Sequence, residues 1–219
     1  SFMFNQASEL GIDVTSFVAM DYYTENFSDK ILADYSLENV FNISGGQVYD
    51  FMNTEGIAEG LNTSAVIDLE WYKTEYATDL EENKAQIDID ANDEISNQEL
   101  FDYVTGAGLE KGQKPSKLVD FESYLAEGSA SAQSLLTWAG STSIEQVSYS
   151  QTLEYMFSAG LEAGFAPSPG LDVDALKTQN AEALTKFYSV SSITEVTNVQ
   201  AFNYVYGSGF QQPEETPVG

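Results

Sequence analysis

Residues 88–99 read Asp88-Ile89-Asp90-Ala91-Asn92-Asp93-Glu94-Ile95-Ser96-Asn97-Gln98-Glu99, and Leu100-Phe101-Asp102-Tyr103-Val104 follows. With Asp88 as position 1, side-chain oxygens stand at positions 1, 3 and 5, an apolar residue at 8, a hydroxyl at 9 and a glutamate at 12. A calcium ion takes about six to eight oxygens at about 2.3–2.6 Å, and a single short loop surrounds it by offering alternate residues. The chemistry open to this stretch is therefore the capture of a hard cation by oxygen.

Composition narrows the field in the same direction. The chain has 219 residues and a formal charge of −27, its eight basic residues are all lysines, and it contains neither histidine nor cysteine. Without these residues the usual zinc and iron–sulfur ligands, the thiol nucleophile and the Ser-His-Asp triad are absent. Without arginine there is no bidentate phosphate clamp, and so acidic a surface repels nucleic acid. Hydrophobic residues at 42% and aromatics at 13% indicate a folded protein, since disordered acidic chains are poor in aromatics. No apolar run is long enough to span a membrane. The start at Ser1 reads as a processed or excised piece. A cysteine-free chain suits the cytosol or a bacterial exterior, and the acidity favours a secreted or cell-surface setting.

The elements that must position the loop emerge from self-similarity. Ile43-Ser44-Gly45-Gly46-Gln47 leads into Val48-Tyr49-Asp50-Phe51-Met52 and Gly56-Ile57. The same order recurs at Ile95-Ser96-Asn97-Gln98-Glu99 with Gly108-Leu109, at Val147-Ser148-Tyr149-Ser150-Gln151 with Gly160-Leu161, and at Val196-Thr197-Asn198-Val199-Gln200 with Gly209-Phe210. The anchors Ile43, Ile95, Val147 and Val196 are spaced by 52, 52 and 49 residues. Ser or Thr followed three residues later by Gln or Glu is a capping box, in which hydroxyl and N3 side chain each satisfy an orphan amide. Glycine followed by an apolar residue is the signature of a left-handed helix stop. The pattern predicts helices over about 45–55, 97–107, 149–159 and 198–208.

An earlier anchor also recurs. Tyr22-Tyr23-Thr24-Glu25 matches Tyr72-Lys73-Thr74-Glu75, and Leu69, Tyr72, Tyr76 and Leu80 fall on one face of an amphipathic helix. Turn-rich joints follow at Gly60-Leu61-Asn62-Thr63-Ser64, Gly112-Gln113-Lys114-Pro115-Ser116 and Gly164-Phe165-Ala166-Pro167-Ser168-Pro169-Gly170. The expectation is an all-α protein of four tandem helical repeats with short β pairing at the Ile/Val anchors. Its boundaries are an N-terminal segment 1–12, units at 13–64, 65–116, 117–170 and 171–212, and an unstructured tail 213–219.

Only the second unit carries a full ligand set. The positions matching Asp88, Asp90 and Asn92 are Ser36, Glu38 and Val40 in the first unit, Gly140, Thr142 and Ile144 in the third, and Ser189, Ser191 and Ile193 in the fourth. Residues 88–99 resemble the calcium-binding loop of the EF-hand family, over about thirty residues with its flanking helices. The resemblance implies helix-loop-helix units, with side-chain oxygens from Asp88, Asp90 and Asn92, the backbone carbonyl of Glu94, Ser96 acting directly or through water, and bidentate Glu99. It also implies that Ile95 forms the small strand that pairs two such loops. Position 6, glycine in the family, is Asp93, which tolerates positive φ at some cost and implies weakened binding. The unit also resembles tandem repeats of secreted bacterial calcium-associated and surface-layer proteins, through Tyr155, Gly160, Glu162, Gly164, Pro167 and Ser168.

The resulting expectation is a non-enzymatic calcium-binding module, secreted or at a cell surface, whose partners are calcium and another protein or surface component. Three alternatives stand beside it: a calcium sensor that exposes an apolar groove, a carbohydrate-active enzyme using paired carboxylates, and a binder of an apolar ligand between aromatic helices. Carboxylate pairs such as Asp120 with Glu122, or Glu122 with Glu127, read more simply as a solvated face in a chain with 35 acidic residues. Trp71 and Trp138 read as core or partly buried side chains.

Overall fold

The computed structural model describes residues 20–64 and 66–207. The expected segment 1–12, the turn at Gly209-Phe210 and the tail 213–219 lie outside the described residues. Within them the chain forms eleven α-helices and no strand. The helices are α1 (Met20–Asp34), α2 (Gly45–Phe51), α3 (Leu69–Glu75), α4 (Ala77–Ile87), α5 (Asn97–Tyr103), α6 (Phe121–Tyr124), α7 (Ala130–Ala139), α8 (Tyr149–Tyr155), α9 (Val173–Gln179), α10 (Ala181–Phe187) and α11 (Asn198–Phe202).

The capping boxes form at the four positions that the spacing indicates. Ser44, Ser96, Ser148 and Thr197 accept the amide of the residue three further on. The side chains of Gln47, Glu99, Gln151 and Gln200 take the N-cap amide in return. Each exchange satisfies two donors that a helix start otherwise leaves open.

The far ends of these helices differ from expectation. Rather than stopping at Gly56, Gly108 and Gly160, α2, α5 and α8 run on into wider π turns, Met52–Gly56, Val104–Gly108 and Met156–Gly160. The left-handed stops come four residues later, at Gly60, Gly112 and Gly164, with φ of 80°, 75° and 82°. There the Leu61, Gln113 and Phe165 amides reach back to the carbonyls of Gly56, Gly108 and Gly160, each at 2.9 Å. The Gly60, Gly112 and Gly164 amides bond the carbonyls of Ile57, Leu109 and Leu161, which completes the Schellman pattern.

The earlier glycines have a different cause. The buried phenol groups of Tyr23, Tyr72 and Tyr124 occupy the space that a Cβ at Gly56, Gly108 or Gly160 would need. A side-chain hydroxyl pressed into the helix accompanies the widening to a π turn. This pairing also corrects the register of the first helix. Tyr23, not Tyr22, takes the place that Tyr72 holds later in the chain.

The helices that carry Tyr23 and Tyr72 bend one turn further on, and an equivalent break follows α9. Phe27 sits inside α1 with φ −126° and ψ 16°, Tyr76 separates α3 from α4 at −109° and 25°, and Asn180 separates α9 from α10 at −107° and 14°. Side chains of Asp68, Asp120 and Asp172 cap α3, α6 and α9. The Asp68 and Asp120 amides bond the carbonyls of Pro115 and Pro167 at 3.1 and 2.9 Å, tying each joint back to an earlier helix start.

Successive capped helices meet end to start. Asn97 Nδ2 donates to the Ala58 carbonyl at 3.0 Å, and Asn198 Nδ2 donates to the Leu161 carbonyl at 2.7 Å. Tyr149 lies against Gly112. The first helix α1 in turn packs against the turn Asn203–Gly207. One apolar core runs from Tyr23 through Leu69, Leu100 and Leu153 to Phe202, and a smaller cluster joins Leu184, Val196 and Ala201.

No β pairing is present among the described residues. Ile43, Val147 and Val196 are extended, but each is wedged between a short 3-10 turn and a helix N-cap. Two extended residues do not make a ladder, and these side chains contribute to the core instead. Trp71 is half-buried, whereas Trp138 is 42% exposed. No described helix is long and apolar enough to cross a membrane.

Candidate metal centre

The path of residues 88–96 is unlike that of the corresponding segments elsewhere. After α1, α7 and α10 the chain stops on a left-handed residue, Ser36, Gly140 or Ser189, with φ of 52°, 63° and 54°. It then makes a 3-10 turn, at Val40–Asn42, Ile144–Gln146 and Ile193–Glu195. After α4 it does neither. Asp88 has φ −72° and ψ 83°, no 3-10 turn forms, and the left-handed residues are Ala91 and Asp93 at 55° and 71°.

This path wraps the backbone around its own carboxylates. The Asn92 amide points at Asp88 Oδ1 and Asp90 Oδ1, each at 3.2 Å, and the Asp93 amide donates to Asp88 Oδ2 at 2.9 Å. Asn92 Nδ2 donates to Asp90 Oδ2 at 2.9 Å, while Asn92 Oδ1 accepts the Glu94 amide at 2.8 Å. Across the loop, Glu99 Oε1 accepts the Ile89 amide at 2.7 Å. Glu99 Oε2 accepts the Ser96 amide at 2.9 Å and the Ser96 hydroxyl at 2.7 Å.

As a result, one carboxylate oxygen each from Asp88, Asp90 and Glu99 lies within 4.8 Å of the others. Oxygens that share a calcium ion at about 2.4 Å stand no more than about 4.8 Å apart. The three therefore fit one coordination sphere. Asn92 is bonded into the same turn, whereas the Ser96 hydroxyl is committed to the helix cap and to Glu99. The Glu94 side chain is exposed, and its amide donates to Asn92 Oδ1.

Five carboxylates and no basic residue fall within residues 88–99. Glu99 is held below its ordinary range, first by the Ser96 hydroxyl and then by the Ser96 and Ile89 amides, which favour its ionised form. Asp93 is likewise lowered by its hydrogen bond to Lys84, whose ammonium is 2.7 Å away. Lys84 was not among the residues that the ligand pattern selects. Its signal in the sequence is position: a cation in the last turn of a helix, four residues before Asp88.

The carboxylate pairs weighed for sugar chemistry are differently placed. Asp120 caps α6 and pairs with Lys114 at 3.3 Å, while Glu122 and Glu127 are exposed. Comparison with protein-family models, with curated proteins and with solved structures found no match.

Proposed function

We propose that this protein is a non-enzymatic calcium-binding module, secreted or at a cell surface, with one EF-hand-like site at residues 88–99. The observation that carries the reading is the convergence of Asp88, Asp90 and Glu99 onto a volume the size of one coordination sphere. Asn92, the Glu94 carbonyl and Ser96 complete the ligand set. Bidentate binding by Glu99 requires the Ser96 hydroxyl to release Oε2, after which its oxygen is available to the ion or to a bridging water.

The site belongs to one of four tandem units. That reading draws support from the four capping boxes, the three Tyr–Gly contacts and the three Schellman stops that recur along the chain. The end-to-start contacts through Asn97, Tyr149 and Asn198 favour stacking of successive units over pairing of two loops. Three units hold their inter-helix segment with a left-handed stop and a 3-10 turn. The second has exchanged that device for an acidic loop, which a bound cation stabilises by removing repulsion among its carboxylates.

A loop with aspartate at position 6 suits an affinity in the extracellular range, about 10⁻⁴–10⁻³ M. Because an ion that binds the folded chain stabilises it by linkage, millimolar calcium is expected to raise the melting temperature by a few degrees. The test compares melting in calcium and in chelator for the wild type and for Glu99→Gln. An identical curve in both conditions for the wild type sinks the site.

A sensor role is the second reading. It is favoured by a cleft of about 310 Å³ beside the loop, whose lining includes Ala77, Leu80, Ile95 and Leu100. Calcium-dependent binding of a hydrophobic dye distinguishes it from a purely structural ion.

A further inference from the structure

Lys84 supplies the one ion pair that reaches residues 88–99 among the described residues. Its ammonium sits 2.7 Å from Asp93 Oδ1, with the lysine side chain 26% exposed and the aspartate 93% exposed. The cation is thus tucked against the protein while the carboxylate reaches back to it from the loop. Both line the cleft that is floored by Leu80, Ile95 and Leu100. The charges of Glu81 and Asp88 also act on this ammonium, which places it within the field of an expected ligand.

We propose that Lys84 is the loop's internal counter-cation, which offsets part of the carboxylate repulsion when no metal is bound and opposes a divalent ion when one enters, and so sets the affinity of the site. The proposal rests on the calcium reading of residues 88–99. Asp93, the partner of Lys84, stands outside the expected ligand set, so the ammonium need not be displaced when the ion arrives. It remains in place and repels. A lysine ammonium is a compact point charge. In a solvent-exposed setting a unit charge about 10 Å from a divalent ion weakens its binding by a factor of about three to ten at low ionic strength.

The test measures calcium affinity by calorimetric titration at low ionic strength for the wild type, Lys84→Gln, Lys84→Arg and Glu99→Gln. Gln and Lys have similar helix propensity, so α4 is preserved, and melting in chelator verifies that each variant is folded. The expected result is affinity about three- to ten-fold tighter for Lys84→Gln and unchanged within two-fold for Lys84→Arg. The gain should shrink in about 1 M salt, where the screening length falls to about 3 Å. Wild-type binding combined with equal or weaker affinity for Lys84→Gln overturns the proposal and leaves the calcium reading standing. Absence of binding in the wild type and all variants overturns both.

Discussion

Gly108→Ala tests the packing device on which the capped helices depend. Tyr72 is fully buried, and its hydroxyl donates to Gln113 Oε1 while lying against Gly108. A Cβ at Gly108 would overlap that hydroxyl, and it would also stand 3.1 Å from both Gln113 Oε1 and the Tyr103 carbonyl. Backbone on one side and a buried ring on the other leave little room to relax. Overpacking of this kind costs about 1–3 kcal/mol. Displacement of the phenol from Gln113 adds about 1–3 kcal/mol for a buried polar group left unpaired. The better helix propensity of alanine returns about 1 kcal/mol. The net loss is about 3 kcal/mol, or about 6–12 °C in melting temperature for a chain of this size. Urea and thermal unfolding provide the assay, with Tyr72→Phe as the partner in a double-mutant cycle. Removal of the hydroxyl makes space for the new methyl, so Gly108→Ala should cost far less in the Tyr72→Phe background. An equal cost in both backgrounds would refute the assignment of Gly108 to the tyrosine socket.

Two further predictions concern the loop itself. Ala91 holds a left-handed φ of 55°, a conformation that strains an L-residue and that glycine adopts freely, so Ala91→Gly is expected to raise the melting temperature in chelator by about 2–4 °C; a decrease contradicts the strain. The folded carboxyl of Glu99 titrates below its ordinary 4.5, so its contribution to stability is fully present above 4.5 and is lost as pH falls through the lower folded value. In chelator, the stability difference between wild type and Glu99→Gln should therefore be constant from pH 7 to 5 and shrink towards pH 3. A difference that grows on acidification contradicts that sign.

What the sequence disclosed was the local chemistry. Serine or threonine three residues before glutamine or glutamate is a self-contained cap, and all four such helices start where the pattern places them. The acidic positions at 88, 90 and 99 were singled out by local spacing alone, and the fold brings one oxygen of each within 4.8 Å of the others. Information that depends on neighbours was not legible. Gly108 reads as a helix stop until Tyr72, 36 residues earlier, is seen to occupy its side-chain space. The true stop at Gly112 looked like part of a joint, because both positions carry the same residue. The break at Tyr76 lay inside a continuous amphipathic pattern, which registers the buried face but not the bend. Pairing of Lys84 with Asp93 required the left-handed turn that aims the carboxylate back at α4.

Calcium stoichiometry tests the central claim most directly. Equilibrium dialysis of the full chain against calcium at about 2 mM, with the wild type compared with Glu99→Gln and Asp88→Asn, counts the ions retained per chain. One saturable ion in the wild type and none above background in either variant is the predicted result. Zero saturable ions, or binding that persists unchanged in both variants, would contradict a metal centre built from Asp88, Asp90 and Glu99.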